Sequence, residues 1–289
     1  MKYLVTGLLM ACGALMAGCA GTSVGASSGA TASSSAPSTE DLAIAHRPED
    51  LSQCTPPAGA ALSDIASVVD WINAMPKPLT LACFVASLPR PITYNATQSN
   101  FSAQPSIGRH NPRIFVKVDK LWLSFVPQEG ASRLEDPTTG EEILTWDPDN
   151  IQLLELSYEV DTNRQFQQTL KAELGFPVLA ALPYSAPYSK VAMNTNRTGS
   201  LCGDCHGSET IVDFVDEYPV FRSTMLRNAA SQEISHGYLV NQYLTCDPAI
   251  NTGYTDENYE WYRCQMLEAF FGQGQMIWES FKEDIAVFR

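Results

Sequence analysis

Two thiols set two residues apart, with an imidazole on the very next residue, form the tightest constraint on this chain: Cys202-Gly203-Asp204-Cys205-His206. Any fold that hosts this pentad must bring three metal- or carbon-reactive side chains to one side of a single turn. The remaining cysteines sort around it. Eight occur in 289 residues, the others being Cys12, Cys19, Cys54, Cys83, Cys246 and Cys264. Cys12 falls in an N-terminal leader and Cys19 directly follows it, which leaves four once these and the pentad are set aside. In an oxidising compartment an even remainder argues for disulfides, and near-neighbour pairing as Cys54–Cys83 and Cys246–Cys264 closes two modest loops. Other connectivities stay open at this level.

The leader supplies the compartment. Met1-Lys2-Tyr3 is a short positive start, Leu4 to Ala17 is apolar, and small residues precede Cys19. That is the anatomy of a secretory signal, too short for a membrane span. A plain signal peptide cut elsewhere is the simpler alternative. Residues 20–40 are mostly Ala, Gly, Ser and Thr with almost no charge, a tether that can bury no core.

C-x-x-C-H is the attachment pattern of covalent haem. Each thiol can add to a vinyl group on one porphyrin edge, and the histidine offers a ring nitrogen to iron. Competing readings are weaker. A redox dithiol follows a strand in a βαβ unit, whereas the polar run 194–200 precedes this pentad. A zinc site drawing on Cys202, Cys205 and the distant His236 lacks a second C-x-x-C or an H-x-x-x-H to complete it. An ordinary disulfide needs no histidine.

The pentad resembles that of c-type cytochromes, and Met16-Ala17-Gly18-Cys19 resembles the lipobox of bacterial lipoproteins. The first resemblance implies one covalent haem c on Cys202 and Cys205, His206 as proximal iron ligand, and electron transfer to a redox protein of the envelope. The second implies lipidation of Cys19 and a membrane anchor. With Ala20 rather than aspartate after the cysteine, it implies the outer membrane, periplasmic side. For the distal position Met225 and His236 are the leading candidates, with Met266 and Met276 behind them. An open sixth position would favour ligand sensing or peroxidase chemistry. The alternative function is a non-haem envelope binding or structural lipoprotein whose Cys/His cluster holds zinc or a disulfide.

Charge narrows the partners. The chain carries 18 basic and 32 acidic residues, a net of −14, and loss of Lys2 with the leader takes it to −15. No basic patch offsets phosphate, so nucleic acid is excluded as a partner, while a basic redox protein could be steered in. Ser-His-Asp order, H-E-x-x-H and a phosphate loop are all missing, so the pattern favours an electron carrier over a catalyst.

The expected fold is α+β: an antiparallel sheet or small β-sandwich followed by a helical, haem-bearing C-terminal segment. The divisions are 1–18 signal, 19–50 lipidated cysteine and tether, 51–189 sheet-rich, and 190–289 helical. Ser63 caps a helix through Ile65, Val68, Val69 and Ile72 that Pro76 and Pro78 end. Residues 113–118 and 121–126 form a hairpin around Asp119-Lys120, and 151–160 pairs with 166–178 around Asp161-Thr162-Asn163. The Pro- and Tyr-rich run 183–188 links the sheet to the last segment. Helices are expected over 221–230, continuing beyond His236, and over 257–281. Trp122, Trp146, Tyr158 and Phe176 pack a core or, less simply, line a sugar-binding face.

Overall fold

The apolar residues at helical spacing, Ile65, Val68, Val69 and Ile72, line the buried side of α1, Ile65–Ala74. Asp64, one residue beyond Ser63, is its cap. The Asp64 carboxylate accepts from the Ser67 amide at 2.8 Å, and the Ser67 hydroxyl accepts from the Asp64 amide at 2.9 Å. A reciprocal box of this kind contributes about 1 kcal/mol. Next comes α2, Leu81–Ala86, capped by the Thr80 hydroxyl. A Cys54–Cys83 disulfide spanning 29 residues pins it to the preceding chain, which contributes about 2–4 kcal/mol.

The computed structural model describes residues 49–98, 109, 111–127, 131–135, 142–146, 152–160, 166–192, 199–247 and 259–287. The leader, the lipobox with Cys19, and the turn 161–163 therefore lie outside the described residues.

The strands in chain order are β1 Ile92–Thr97, β2 Arg113–Val118, β3 Leu121–Phe125, β4 Ala131–Glu135, β5 Glu142–Trp146, β6 Gln152–Val160 and β7 Gln168–Phe176. After α3, Ala186–Val191, and the single turn α4, Gly203–His206, come β8 Thr210–Val215, β9 Tyr218–Thr224 and β10 Leu226–Arg227. The chain closes with α5 His236–Leu244, α6 Tyr259–Phe271, β11 Met276–Trp278 and β12 Ala286–Val287. Eight strands form one sheet in the order β11-β1-β2-β3-β6-β7-β9-β8, while β4-β5 and β10-β12 make separate pairs. The architecture is α+β. The sheet is mixed rather than purely antiparallel, because β11 runs parallel to β1.

Cross-strand register sorts the central residues into two faces. One row reads Tyr94, Val116, Leu123, Leu156, Ala172, all buried. It shares a single core with Val68, Trp71 and Ile72 of α1, Phe84 of α2, and Met266 and Phe270 of α6. The rows on either side face the other way. They read Phe115, Ser124, Glu155, Glu173 and Lys117, Trp122, Ser157, Lys171, Phe221. The functional groups gather on that second face.

Three expectations are corrected. Residues 218–224 are strand β9, not the start of a helix over 221–230, because Val220 and Phe221 are buried in pairing with β8 and β7. The final helix stops at Phe271 instead of running to Phe281, and Met276–Trp278 joins the sheet edge. Strands β7 and β9 lie on either side of residue 190 yet pair with each other, so the segment 190–289 supplies strands as well as helices to one sheet. The Pro- and Tyr-rich link itself forms part of α3.

Candidate functional site

The pentad occupies one helical turn. Cys202 stands at the N-cap of α4, and positions 202, 205 and 206 fall at i, i+3 and i+4, which lie on one helix face. Gly207 leaves the turn at φ +57°, a left-handed conformation natural to glycine, and reverses the chain toward β8. Glu209 ties the reversal down: it accepts from the Ser200 amide at 2.9 Å and from the Ser200 hydroxyl.

Across from the turn lies the polar face of the sheet, with Arg113, Glu155, Lys171 and Glu173 as the floor of a cleft. Cys202, Cys205 and His206 form one wall, and Trp122, Met225 and Phe281 close the end. The Phe281 ring stacks on Trp122 at 6.0 Å, and Met225 and Ile285 complete this second apolar cluster. The enclosed space is about 120 Å³, against roughly 300–1,000 Å³ for pockets that bury a drug-sized ligand. A larger planar group seated here would keep part of its edge in solvent, beside the exposed Cys205.

The His206 ring is held by its Nδ1, 2.9 Å from the Thr224 carbonyl oxygen and 3.3 Å from Lys171 Nζ. A carbonyl only accepts, so the shorter contact requires Nδ1 to carry the proton and leaves the Nε2 lone pair free, the arrangement of a ligand-ready imidazole. Burial, aided by the Lys171 charge, pushes the His206 pKa down to about 3, so the ring is neutral across the physiological range. Lys171 is 4% exposed, and desolvation lowers its pKa to about 8.

The surroundings of Cys202 are not those of a redox thiol. Cys202 and Cys205 are free, and burial together with the Glu155 charge pushes the Cys202 thiol up to about 11. A reactive dithiol needs the opposite shift, toward the thiolate. A neutral thioether carries no such desolvation cost.

Among the described residues, the group with three ligand atoms inside 4.8 Å is Glu49, Cys54 and Cys83, whose two sulfurs are joined in the first disulfide. His236 stands apart from the pentad. Its Nδ1 bonds the Tyr94 hydroxyl at 2.8 Å at the start of α5. Met266 is buried in the main core, and Met276 Sδ accepts from Arg90. Of the four distal candidates only Met225 lines the cleft, yet it directly follows Thr224 and is rooted on the Nδ1 side of the His206 ring. The second disulfide joins Cys246 and Cys264, connecting the segment after α5 to α6. Of the four strand aromatics, Trp122 reaches the cleft, Phe176 is buried in the core and Tyr158 packs against it, while the Trp146 side chain lies outside the described residues.

Sequence reasoning missed Arg113, Glu155, Lys171 and Glu173. Arg113 forms an ion pair with Glu155 and donates to Ser124 Oγ at 2.9 Å. Glu173, 4% exposed, is held protonated to higher pH: burial and the Glu155 charge raise its pKa from 4.5 to about 7. A carboxyl raised in this way contributes its stability below its unfolded pKa and loses it as pH climbs through the folded one. Glu173→Gln should therefore be near neutral at about pH 4 and stabilising above about pH 7, by at most about 3 kcal/mol. Thermal unfolding of both proteins across that range reads it, and parallel curves would refute it.

Searches of protein-family models, characterised proteins and solved structures found no match to this chain.

Proposed function

We propose that the chain is a periplasm-facing lipoprotein that carries one covalent c-type haem, passes single electrons, and leaves the sixth iron position open to a small ligand. The observation that supports this best is the His206 ring, fixed through Nδ1 to the Thr224 carbonyl with Nε2 free, on the same turn as two unpaired thiols. The donor set of two thiols and one imidazole fits the group, while the cleft of about 120 Å³ would hold only part of it. Cys202 and Cys205 would hold it through thioethers, and His206 would ligate iron. When bound, the haem supplies a one-electron Fe(II)/Fe(III) couple whose potential depends on axial ligation and burial.

This chain's own residues set the surroundings. Thr224 orients the imidazole. Trp122, Met225 and Phe281 give one end of the cleft an apolar wall, while the Arg113–Glu155 pair and Glu173 give the floor hydrogen-bonding groups. A pure electron carrier has little use for such a floor; a small polar ligand does. Met225, tethered on the Nδ1 side, is badly placed to ligate opposite Nε2, and His236 is engaged with Tyr94. The zinc reading would need a third ligand from His236, whose Nδ1 is instead engaged with the Tyr94 hydroxyl.

The test is direct. Expressed with cytochrome c maturation proteins, the purified chain should keep its colour on a denaturing gel and weigh one haem more than the polypeptide, and Cys205→Ser should abolish most holoprotein. A colourless protein of apo mass would sink the reading. For the anchor, Cys19→Ser should move the protein from the membrane fraction to the soluble one, since the tether itself offers no apolar surface. Palmitate label retained in that variant would point to a different site.

A further inference from the structure

Ten large apolar side chains are conspicuously exposed among the described residues, and four of them fall between positions 201 and 214: Leu201, Ile211, Val212 and Phe214, at 42–56% exposure. Three sit on β8, the outer strand of the sheet. Leu201 abuts the pentad, and Thr210, where β8 begins, can lie no farther than about 14 Å from His206 along the chain. Scattered exposed apolar residues need no explanation, but a cluster beside a functional site does.

Strand addition is not what this edge is built for. The Phe214 amide, opposite Pro219 in the hairpin, is taken by the Asp213 carboxylate at 2.8 Å. A β-bulge between Ile211 and Asp213 further breaks the edge pattern. What β8 offers is side chains.

Charge selects the occupant. Residues 199–217 contain Asp204, Glu209, Asp213, Asp216 and Glu217 and no Lys or Arg, and the one cation of the hairpin, Arg222 on β9, donates to Thr210 Oγ1 at 3.3 Å. Asp216 and Glu217 are exposed at the hairpin turn, and Asp213, between Val212 and Phe214, is exposed along the outer edge. Two copies meeting through this patch would bring identical carboxylates face to face, which opposes self-association, and an anionic bilayer is repelled for the same reason. A lysine-rich surface is complementary.

We infer that the β8–β9 hairpin, with Phe214, Ile211 and Val212 as its apolar centre and Asp213, Asp216 and Glu217 as its rim, is the docking surface for a basic electron-transfer protein. The inference rests on the haem reading for the partner's class, but the surface can be tested without it. Apolar contacts at the centre hold the complex, and the acidic rim steers encounter and suppresses acidic competitors.

The probe is a lysine-rich soluble monohaem cytochrome, captured on an optical biosensor at low ionic strength, with an acidic redox protein as control. The full-length chain should bind the basic probe and not the control, weakening as salt rises. Asp213→Asn/Asp216→Asn/Glu217→Gln should reduce affinity at least about tenfold and flatten the salt dependence. Phe214→Ser, at a position already more than half exposed, should reduce affinity by about tenfold with the salt dependence retained. Failure of the wild type to bind the basic probe, or binding unchanged in both variants, overturns the proposal. Self-association that Phe214→Ser abolishes would assign the patch to a second copy and overturns it as well. Because the sensor reads mass, binding by a haem-free preparation would leave the surface standing while the haem reading fell, and haem present with variant-insensitive binding would do the reverse.

Discussion

The reduced holoprotein is expected to bind carbon monoxide to saturation without any substitution, and Met225→Ala is expected to leave that binding and the visible spectrum unchanged. The reason is positional. His206 Nδ1 is bonded to the Thr224 carbonyl, so Nε2 points away from the chain that carries Met225. A side chain rooted one residue past that carbonyl stays behind the ring it would have to pass. Met225 has other employment: it is 6% exposed and packs with Trp122, Phe281 and Ile285. Met225→Ala should therefore cost about 2–5 kcal/mol of stability without a change of iron ligand. A near-red ferric charge-transfer band in the wild type, lost in Met225→Ala together with a gain of carbon monoxide binding, would overturn this and make methionine the sixth ligand.

Local patterns were legible in the fold wherever the chemistry was local. The β2–β3 hairpin follows from two runs of β-branched, aromatic and other apolar residues around Asp119-Lys120, with Asp119 at φ +52°, a conformation that aspartate tolerates. α1 follows from its apolar spacing, and only its cap slipped, from Ser63 to Asp64. The failures are long-range. Phe221, Met225, Leu226 and Ala229 recur at helical intervals, but the chain here is decided by Val220 and Phe221, buried where β9 pairs with its hairpin partner β8 on one side and with β7, more than 40 residues upstream, on the other. Likewise nothing near Met276 announces that it will pair in parallel with Ile92. Gly272 and Gly274, the latter at φ +137°, were a local stop signal that the expectation of a helix over 257–281 passed over.

The candidate site divides the same way. The pentad is local and was readable; its floor was not. Glu155 and Ser157 on β6, and Lys171 and Glu173 on β7, occupy alternating polar positions that ordinarily mean a solvent face. Here the pentad turn, residues 225–228 and Phe281 cover that face, so polar alternation marks a cleft. The weak signal available was the length of chain after β7 that had to pack somewhere.

Phe270→Ala should be the most destabilising single substitution tested, at about 3–5 kcal/mol. Phe270 is fully buried and touches three rings edge-on, Tyr94 at 5.1 Å, Phe125 at 5.7 Å and Phe271 at 4.9 Å. Those contacts hold α6 against β1 and β3, and α6 in turn delivers β11 to the sheet edge. The loss is a large part of a total stability on the order of 5–15 kcal/mol and should lower Tm by about 10 °C for a chain of this size. The cleft lies on the opposite face, so the spectrum of the remaining folded protein should not change below the new Tm. A Tm shift under about 3 °C would mean that the α6 packing is not what holds this face of the sheet. A spectral change well below Tm would mean that the two faces are coupled through the central strands.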